Sequence, residues 1–237
     1  MHTHISMPSG TTTRRALTPH SNVKPMSEIE SEIRQPRQKR SQEAYARVLQ
    51  AGRDILERQG LSGFTVQAVS QQAGVSVGSI YLRAPSRKAL LLAIHAQEME
   101  RMDREEVWLV PTSVPPGGAR AHIEEVVTKT ASQMLDNAGI LRAFMRLGPE
   151  DPEIYERGRI SSQRVAEQFE AALLVCRDEF RHPNPDTAAD FAFRMLHSMT
   201  SRRITHGPDF EAPRPLTDDA FIAELARSIA AYLLSWG

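Results

Sequence analysis

A short segment at residues 76–81 carries side chains suited to reading the edges of base pairs. Ser79 can donate or accept a hydrogen bond at a base, and Val77 can contact a thymine methyl group. Gly78 has no side chain, so the backbone can approach the floor of a groove. Tyr81 carries a hydroxyl that can reach a phosphate. This combination predicts contact with DNA.

Cations and polar side chains flank the segment on both sides. Arg83, Arg87 and Lys88 follow it closely, and they can pair with phosphates. Arg40 ends a basic run that precedes it. Residues 34–88 hold ten Lys and Arg against three Asp and Glu, although the whole chain has a formal net charge of zero. This distribution predicts that the basic end meets DNA. The predicted DNA-binding residues are Arg40, Thr65, Gln67, Ser76, Val77, Gly78, Ser79, Tyr81, Arg83, Arg87 and Lys88.

Two short helices joined by a tight turn are predicted to hold these side chains. Thr65 can cap the first helix, because its hydroxyl can accept a bond from a following amide. Gly74 can end that helix, since glycine adopts the left-handed conformation without a steric cost. Ser76 can then cap the second helix. The inward-facing positions are Val66, Val69, Ala73, Val75 and Ile80. The pattern predicts a helix-turn-helix, whose second helix fits the DNA major groove.

Several short motifs stand in order along this region. They are Val48-Leu49-Gln50-Ala51-Gly52, Thr65-Val66, Ala73-Gly74-Val75-Ser76, Gly78-Ser79-Ile80-Tyr81 and Ser86-Arg87, followed by Leu90. Together they resemble the N-terminal domain of the TetR/AcrR family of bacterial transcriptional regulators, over roughly residues 42–95. The resemblance implies a DNA-binding regulator, expected to be a repressor released from its operator by a small molecule.

The chain departs from the family pattern at three positions. Arg83-Ala84 stands where the family usually has an aromatic pair, and Ser70 stands where alanine is commoner. The missing ring near residue 84 would leave a volume that another side chain must fill. Arg83 adds a permanent cation near the expected phosphate backbone.

The chain is expected to be all-α, with an N-terminal three-helix DNA-binding domain followed by a larger helical ligand-binding and dimerisation bundle. Residues 1–40 lack apolar periodicity and predict a disordered, basic-ended arm. The DNA-binding domain is predicted over 41–88 and the effector-binding and dimerisation domain over 89–237. One predicted helix lies between its cap Thr65 and its end at Gly74, and the others lie at 42–59, 77–82, 86–106, 119–137, 140–147, 152–182, 186–206 and 217–236, with prolines between the later ones.

The second half has two expected roles, which the resemblance implies. Large apolar side chains, together with one arginine for an anionic ligand, are candidates for an effector pocket. They are Arg142, Phe144, Met145, Phe169, Phe191 and Met195. The apolar stripes of the last two helices are expected to pair with a second subunit and match a palindromic operator. The candidate interface residues are Phe191, Met195, Met199, Phe221, Leu225, Ile229 and Tyr232.

Other classes of protein find little support. No cofactor is expected, because the sequence has no phosphate-cradling glycine loop, nucleophile elbow or metal-ligand spacing, and no enzymatic activity is expected either. The single cysteine, Cys176, fits a cytoplasmic location, and no apolar run is long enough to span a membrane. Two alternatives remain open: a dimeric DNA-binding protein without an effector, and a helical enzyme whose helix-turn-helix resemblance is incidental.

Overall fold

The computed structural model describes residues 26–105, 114–214 and 216–235. The described residues form α-helices and two short 3-10 turns, at Arg177–Glu179 and Pro208–Phe210, and they contain no strand. The helices are α1 (Met26–Gly63), α2 (Val66–Ala73), α3 (Val77–Tyr81), α4 (Arg87–Glu105), α5 (Gly118–Asp136), α6 (Ala138–Leu147), α7 (Pro152–Leu174), α8 (Pro185–His206) and α9 (Asp218–Leu234). The all-α prediction is confirmed.

The first helix begins earlier than the sequence predicted. A disordered arm was expected over residues 1–40, whereas the structure describes residues 26–40 as the start of α1. Residues 1–25 lie outside the described part. Glu, Gln, Arg and Lys dominate 28–40, and their high helix propensity favours a helix even where no apolar stripe is present. Gly60 interrupts α1 near the expected end, with φ 65° and ψ −162°.

One hydrophobic core joins α1–α4 and continues into the helical half. Val48, Ile55, Val69, Ile80, Leu90 and Ile94 from the first four helices are buried in it. Ile140 and Phe144 of α6 and Ile154 of α7 belong to the same cluster. Helix α6 lies very close to α1, because a Cβ added at Gly139 would lie 2.9 Å from the carbonyl oxygen of Glu57. Helices α1–α4 therefore pack directly against the start of the bundle.

Ion pairs reinforce this packing along α4. Glu98 is buried, and its carboxylate accepts bonds at 2.9 Å from the Nε atoms of both Arg53 and Arg101. Arg53 lies on α1, so Glu98 ties the two helices together. Arg101 also donates to the side chain of Asn137, between α5 and α6.

A second core holds the last helices. Helix α5 packs against α9 and α8, and α7 packs against α8. Phe221, Leu225 and Ile229 are buried against this core within their own subunit. They were predicted to lie at a subunit interface, and this placement corrects that prediction. Their spacing marks a buried face of α9, and the sequence could not say whether the partner of that face was α5 or a second subunit.

Helix α7 is shorter than predicted, ending at Leu174 rather than 182. The chain turns because Cys176 is buried in the second core and the amide of Arg181 donates to the carbonyl of Leu233 at 2.9 Å. Burial also raises the pKa of the Cys176 thiol. Throughout 26–105, 114–214 and 216–235, no helix has the length and apolar character needed to cross a membrane.

Candidate DNA-reading surface and internal cavity

The helix-turn-helix has the local geometry that its sequence predicted. The Thr65 hydroxyl accepts from the Ala68 amide at 3.0 Å and caps α2. Gly74 ends α2 in the left-handed region, with φ 63°. The Ser76 hydroxyl accepts from the Ser79 amide at 3.3 Å and caps α3. Each cap satisfies an amide that the first turn of a helix leaves without a partner.

Ser70 contributes a contact that the sequence did not reveal. Its hydroxyl donates to the carbonyl oxygen of Val75 at 2.7 Å, across the turn between α2 and α3. The side chain that departs from the commoner alanine therefore fastens the turn and helps to fix α3 relative to α2.

Most of the predicted DNA-contacting residues of α2 and α3 are exposed. Thr65 and Gln67 at the start of α2 are exposed, as are Ser76, Gly78, Ser79 and Tyr81 along α3, whereas Val77 is half-buried. The hydroxyls of Ser76 and Ser79 lie 2.8 Å apart and bond to each other. Either hydroxyl can exchange this bond for one to a base or phosphate oxygen. Leu82 next to them is 87% exposed.

The structure also accommodates the unusual Arg83-Ala84 pair. Ala84 is buried in the first core, and its amide donates to the carbonyl of Ile80 at 2.9 Å. The guanidinium of Arg83 lies over the ring of Tyr45 on α1, 5.1 Å from its centroid. An arginine stacked on an aromatic ring therefore lies next to the position where the family usually places an aromatic residue.

Two of the predicted phosphate ligands already have partners in the protein. Arg87 donates to the carbonyl oxygens of Phe64 at 3.1 Å and Leu61 at 3.2 Å, so it holds the connection between α1 and α2. The Lys88 ammonium lies 2.8 Å from Asp151, the capping residue of α7. Its partner raises the pKa of Lys88, and Lys88 in turn lowers the pKa of Asp151. Arg40, the remaining cation of the predicted set, is exposed.

A cavity of about 580 Å³ lies within the helical half, bounded by residues of α4 to α8. His95 is only 3% exposed, and its ring meets Phe144 edge-on at 4.7 Å between centroids. Burial, with a smaller contribution from the charge of Arg157, lowers the pKa of His95 to about 4. His197 lies on the α8 side, where burial lowers its pKa and its Nε2 lies 3.3 Å from the Ser162 hydroxyl. With a pKa of about 4, the His95 imidazole is neutral at pH 7.

Comparisons with known proteins agree with this architecture. Residues 48–94 match the family model for bacterial regulatory proteins of the tetR family. Residues 48–94 therefore form a TetR-type domain. Among curated proteins, none matches the chain.

The structural similarity extends beyond this domain to about four-fifths of the chain. A transcriptional regulator from Saccharomonospora viridis, solved in complex with choline, has 16% identity and a TM-score of 0.67, covering 82% of this chain and 100% of that one. A TetR regulator from Haloarcula marismortui has 17% identity and a TM-score of 0.62, over 81% and 97% of the two chains. One from Agrobacterium tumefaciens has 15% identity and a TM-score of 0.60, over 80% and 92%. The chain thus shares its fold with these regulators.

Few of the residues that the sequence suggested for an effector pocket line the cavity. Phe144 and Met145 line it. Phe169 instead lies in the second core, and Arg142 donates to the carbonyl of Ile204. Phe191 is exposed, and Met195 packs against the second core. These four do not line the cavity, because their helices turn the corresponding faces toward other neighbours.

The sequence analysis did not single out His95 and His197, which both line the cavity. A usable signal lay in α4, where His95, Met99 and Met102 recur at helical spacing and all line the cavity. Across the described ranges, no three His, Cys, Asp or Glu side chains come together as a metal site would require.

The exposed backbone of Gly78 allows a direct test of the DNA-reading surface. A Cβ added there would meet nothing within 4 Å, so Gly78→Ala is expected to leave unfolding unchanged or stabilise the protein by up to about 1 kcal/mol. Affinity for operator DNA is expected to fall about tenfold, because the new methyl group would occupy the space of close approach to the groove. Fluorescence anisotropy with an operator duplex measures the change.

Gly158→Ala in α7 provides the control, since that position also meets nothing within 4 Å. It should bring the same gain in helix propensity without loss of DNA binding. Equal operator affinity for the two variants would contradict the placement of α3 in the groove.

Proposed function

We propose that this chain is a dimeric transcriptional repressor that binds a palindromic operator through α2 and α3 and is released from it by a small molecule. The observation that carries the proposal is the cavity of about 580 Å³, whose wall includes His95, Met99 and Met102 of α4. The same helix begins at Arg87, and only residues 82–86 separate it from the end of α3. A ligand that displaces α4 therefore also displaces the surface that reads DNA.

An apolar stripe on α8 supports the dimer. Phe191, Met195 and Met199 are spaced four residues apart, so they lie on one face of the helix. Phe191 and Met199 are each 48% exposed, a large value for side chains of this kind. The ring of Tyr232 on α9 lies 5.8 Å from that of Phe191 and extends the apolar surface. We propose that the same surface of a second subunit packs against it, since two DNA-binding domains are needed to read a two-fold symmetric site.

The connection between α6 and α7 supports coupling between the cavity and DNA. Gly148, Pro149 and Ile154 line the cavity, and Asp151 lies among them in the sequence. Its carboxylate caps α7 by accepting from the amides of Glu153 at 3.0 Å and Ile154 at 3.3 Å. The same carboxylate binds Lys88 on the first turn of α4. Movement of the cavity wall is therefore passed to α4 through an ion pair.

Removing this ion pair is expected to weaken the response to ligand. Lys88→Met keeps the length of the side chain, and Asp151→Asn keeps a good helix cap, yet both remove the charge interaction. In each variant we expect the ratio of operator Kd with and without 1-decanol, an uncharged amphiphile, to be about fivefold smaller than in the parent protein. Anisotropy titrations at fixed salt give this ratio.

Lys129→Met is the matched control, because Lys129 forms an exposed pair with Glu125 on the same helix, α5, and neither residue lines the cavity. It should retain the full response. A parental ratio in both Lys88→Met and Asp151→Asn would exclude this connection as the route of coupling.

The relative from Saccharomonospora viridis shows that a protein of similar fold was solved with choline. Choline itself is not proposed for this chain. Among the described residues that line its cavity, none is an Asp or Glu that could balance the quaternary ammonium charge. The proposal takes from that relative only that an internal small-molecule site is compatible with the fold.

Selection of bound fragments from the source genome by the purified protein, at about 150 mM salt, tests the function. We expect a palindromic fragment to be enriched and its affinity to fall with salt, with a log–log slope of about −5 to −7 if six to eight phosphates are contacted per dimer. Addition of a cavity ligand should release the fragment. Enrichment without release by any cavity-binding molecule would favour a regulator that needs no effector, and absence of enrichment would overturn the proposal.

A further inference from the structure

The wall of the cavity is mainly apolar and adaptable. Met99, Met102, Met134 and Met145 all line it, and the flexible thioether side chain suits apolar molecules of varied shape. No Asp, Glu or Lys occurs among the lining residues in the described part of the chain. A positively charged molecule would therefore lose its hydration on entry without gaining a counter-charge.

The two arginines on the wall do not supply a free positive charge inside it. Arg159 is exposed and donates to the Glu156 carboxylate at 2.8 Å, which balances its charge. Arg202 is also exposed, and its guanidinium lies over the ring of Phe210, 4.9 Å from the centroid. Both charges are held in contact with solvent, where an anionic ligand gains little from them.

Two polar groups in the wall have no hydrogen-bond partner among the described residues. One is the imidazole of His95, which is 3% exposed and meets the ring of Phe144 edge-on without forming a hydrogen bond to it. The other is the hydroxyl of Ser201, which is buried and makes no hydrogen bond. Both residues line the cavity. Buried polar groups normally have partners, and leaving one without costs about 1–3 kcal/mol, so a ligand that supplies partners is favoured.

We propose that the cavity selects an uncharged, mainly apolar molecule carrying a hydroxyl or carbonyl group that bonds to His95 or Ser201. The inference rests on the proposed function, because it names the chemical class of the ligand that releases the repressor. An imidazole can donate or accept, as can a serine hydroxyl, so alcohols, ketones, esters and amides all satisfy the requirement. Quaternary ammonium ions of the same length are rejected.

Three probes of equal chain length separate the possible ligand classes. Full-length protein is titrated with 1-decanol, decanoate and decyltrimethylammonium, all below their micellar concentrations. The readouts are displacement of the fluorescent dye N-phenyl-1-naphthylamine and the shift in Tm. We expect 1-decanol to bind at least about tenfold more tightly than either charged probe. Equal or tighter binding of the ammonium or the carboxylate would overturn the inference.

Variants then locate the polar contacts. His95→Phe and Ser201→Ala each remove one unpartnered group, and the double variant is expected to bind 1-decanol about tenfold more weakly. Thr205→Val is the control, since its hydroxyl lines the cavity but already donates to the Ser201 carbonyl at 2.8 Å. Gly158→Leu, which extends a side chain from a lining position where a Cβ meets nothing within 4 Å, should block all probes.

The outcomes distinguish this inference from the proposed function. Selective binding of 1-decanol that Gly158→Leu abolishes supports the ligand class, even if operator DNA is not released. In that case only the proposed release of operator DNA by the ligand would be wrong. If a charged probe binds and releases operator DNA, the proposed ligand class is wrong, but the proposed repressor function stands. Failure of all three probes, or identical affinity in the double variant and the parent, would overturn the inference.

Discussion

Replacing both Phe191 and Met199 by glutamate is expected to yield a monomer that binds operator DNA about 100-fold more weakly or worse. The two side chains are half exposed on one face of α8, so charges placed there leave the subunit fold intact and oppose its pairing. A monomer reads only one half-site. It therefore loses the high effective concentration that linkage in a dimer gives to the second DNA-binding domain. Analytical ultracentrifugation measures the assembly, and fluorescence anisotropy with the operator duplex measures the affinity.

Ile160→Glu is the matched control for this prediction. Ile160 on α7 is 53% exposed, so the substitution places the same charge on a comparably exposed apolar side chain of another helix. It should remain dimeric and bind operator normally. A double α8 variant that stays dimeric would refute the assignment of this face. One that becomes monomeric but keeps full affinity would show that a single head suffices.

Replacing Arg203 by alanine is expected to lower the free energy of unfolding by about 3 kcal/mol. Arg203 is 3% exposed, and its guanidinium donates to Asp218 at 2.7 Å and to Glu211 at 2.9 Å. It also donates to the carbonyl oxygen of Leu216 at 2.6 Å and lies over the ring of Phe221. Loss of the side chain removes the link between α8 and the start of α9 and leaves these acceptors without their donor. Urea unfolding monitored by circular dichroism gives the change.

Arg120→Ala provides the comparison for Arg203. Arg120 is an exposed arginine of α5, paired with Glu124 at 3.6 Å, and its loss should cost no more than about 0.5 kcal/mol. Equal destabilisation by the two substitutions would mean that the buried network contributes nothing beyond an ordinary surface pair. Because α9 packs on α5 and α8, a weakened Arg203 network is also expected to loosen the second core.

The sequence alone was sufficient to predict the helix-turn-helix. Its determinants are local: Thr65 and Ser76 cap amides three residues away, and Gly74 adopts a backbone conformation that depends on its own lack of a side chain. Helical spacing also predicted the buried face of α2. These interactions join residues only a few positions apart in the sequence. The exposed surface of α3 could therefore be derived from residue types and spacing.

Only the tertiary structure decided which long-range partner each side chain takes. Arg87 and Lys88 have the charge of phosphate ligands, yet they bind the carbonyls of Leu61 and Phe64 and the carboxylate of Asp151. Periodicity identifies an apolar face but does not identify the surface that covers it. The buried residues of α9 were therefore assigned to a dimer, although α5 covers them.

The cavity depended on tertiary packing most of all. Its wall combines residues from five helices, α4 to α8, and the space exists because their side chains do not fill the volume between them. The spacing of apolar residues within one helix therefore cannot predict a cavity whose wall comes from five helices. The helix-turn-helix that carries the candidate DNA-reading surface was thus determined by local chemistry in one stretch of chain. The cavity, the α8 face and the Lys88–Asp151 connection followed only from how distant helices pack, because such packing depends on shapes summed over the whole fold.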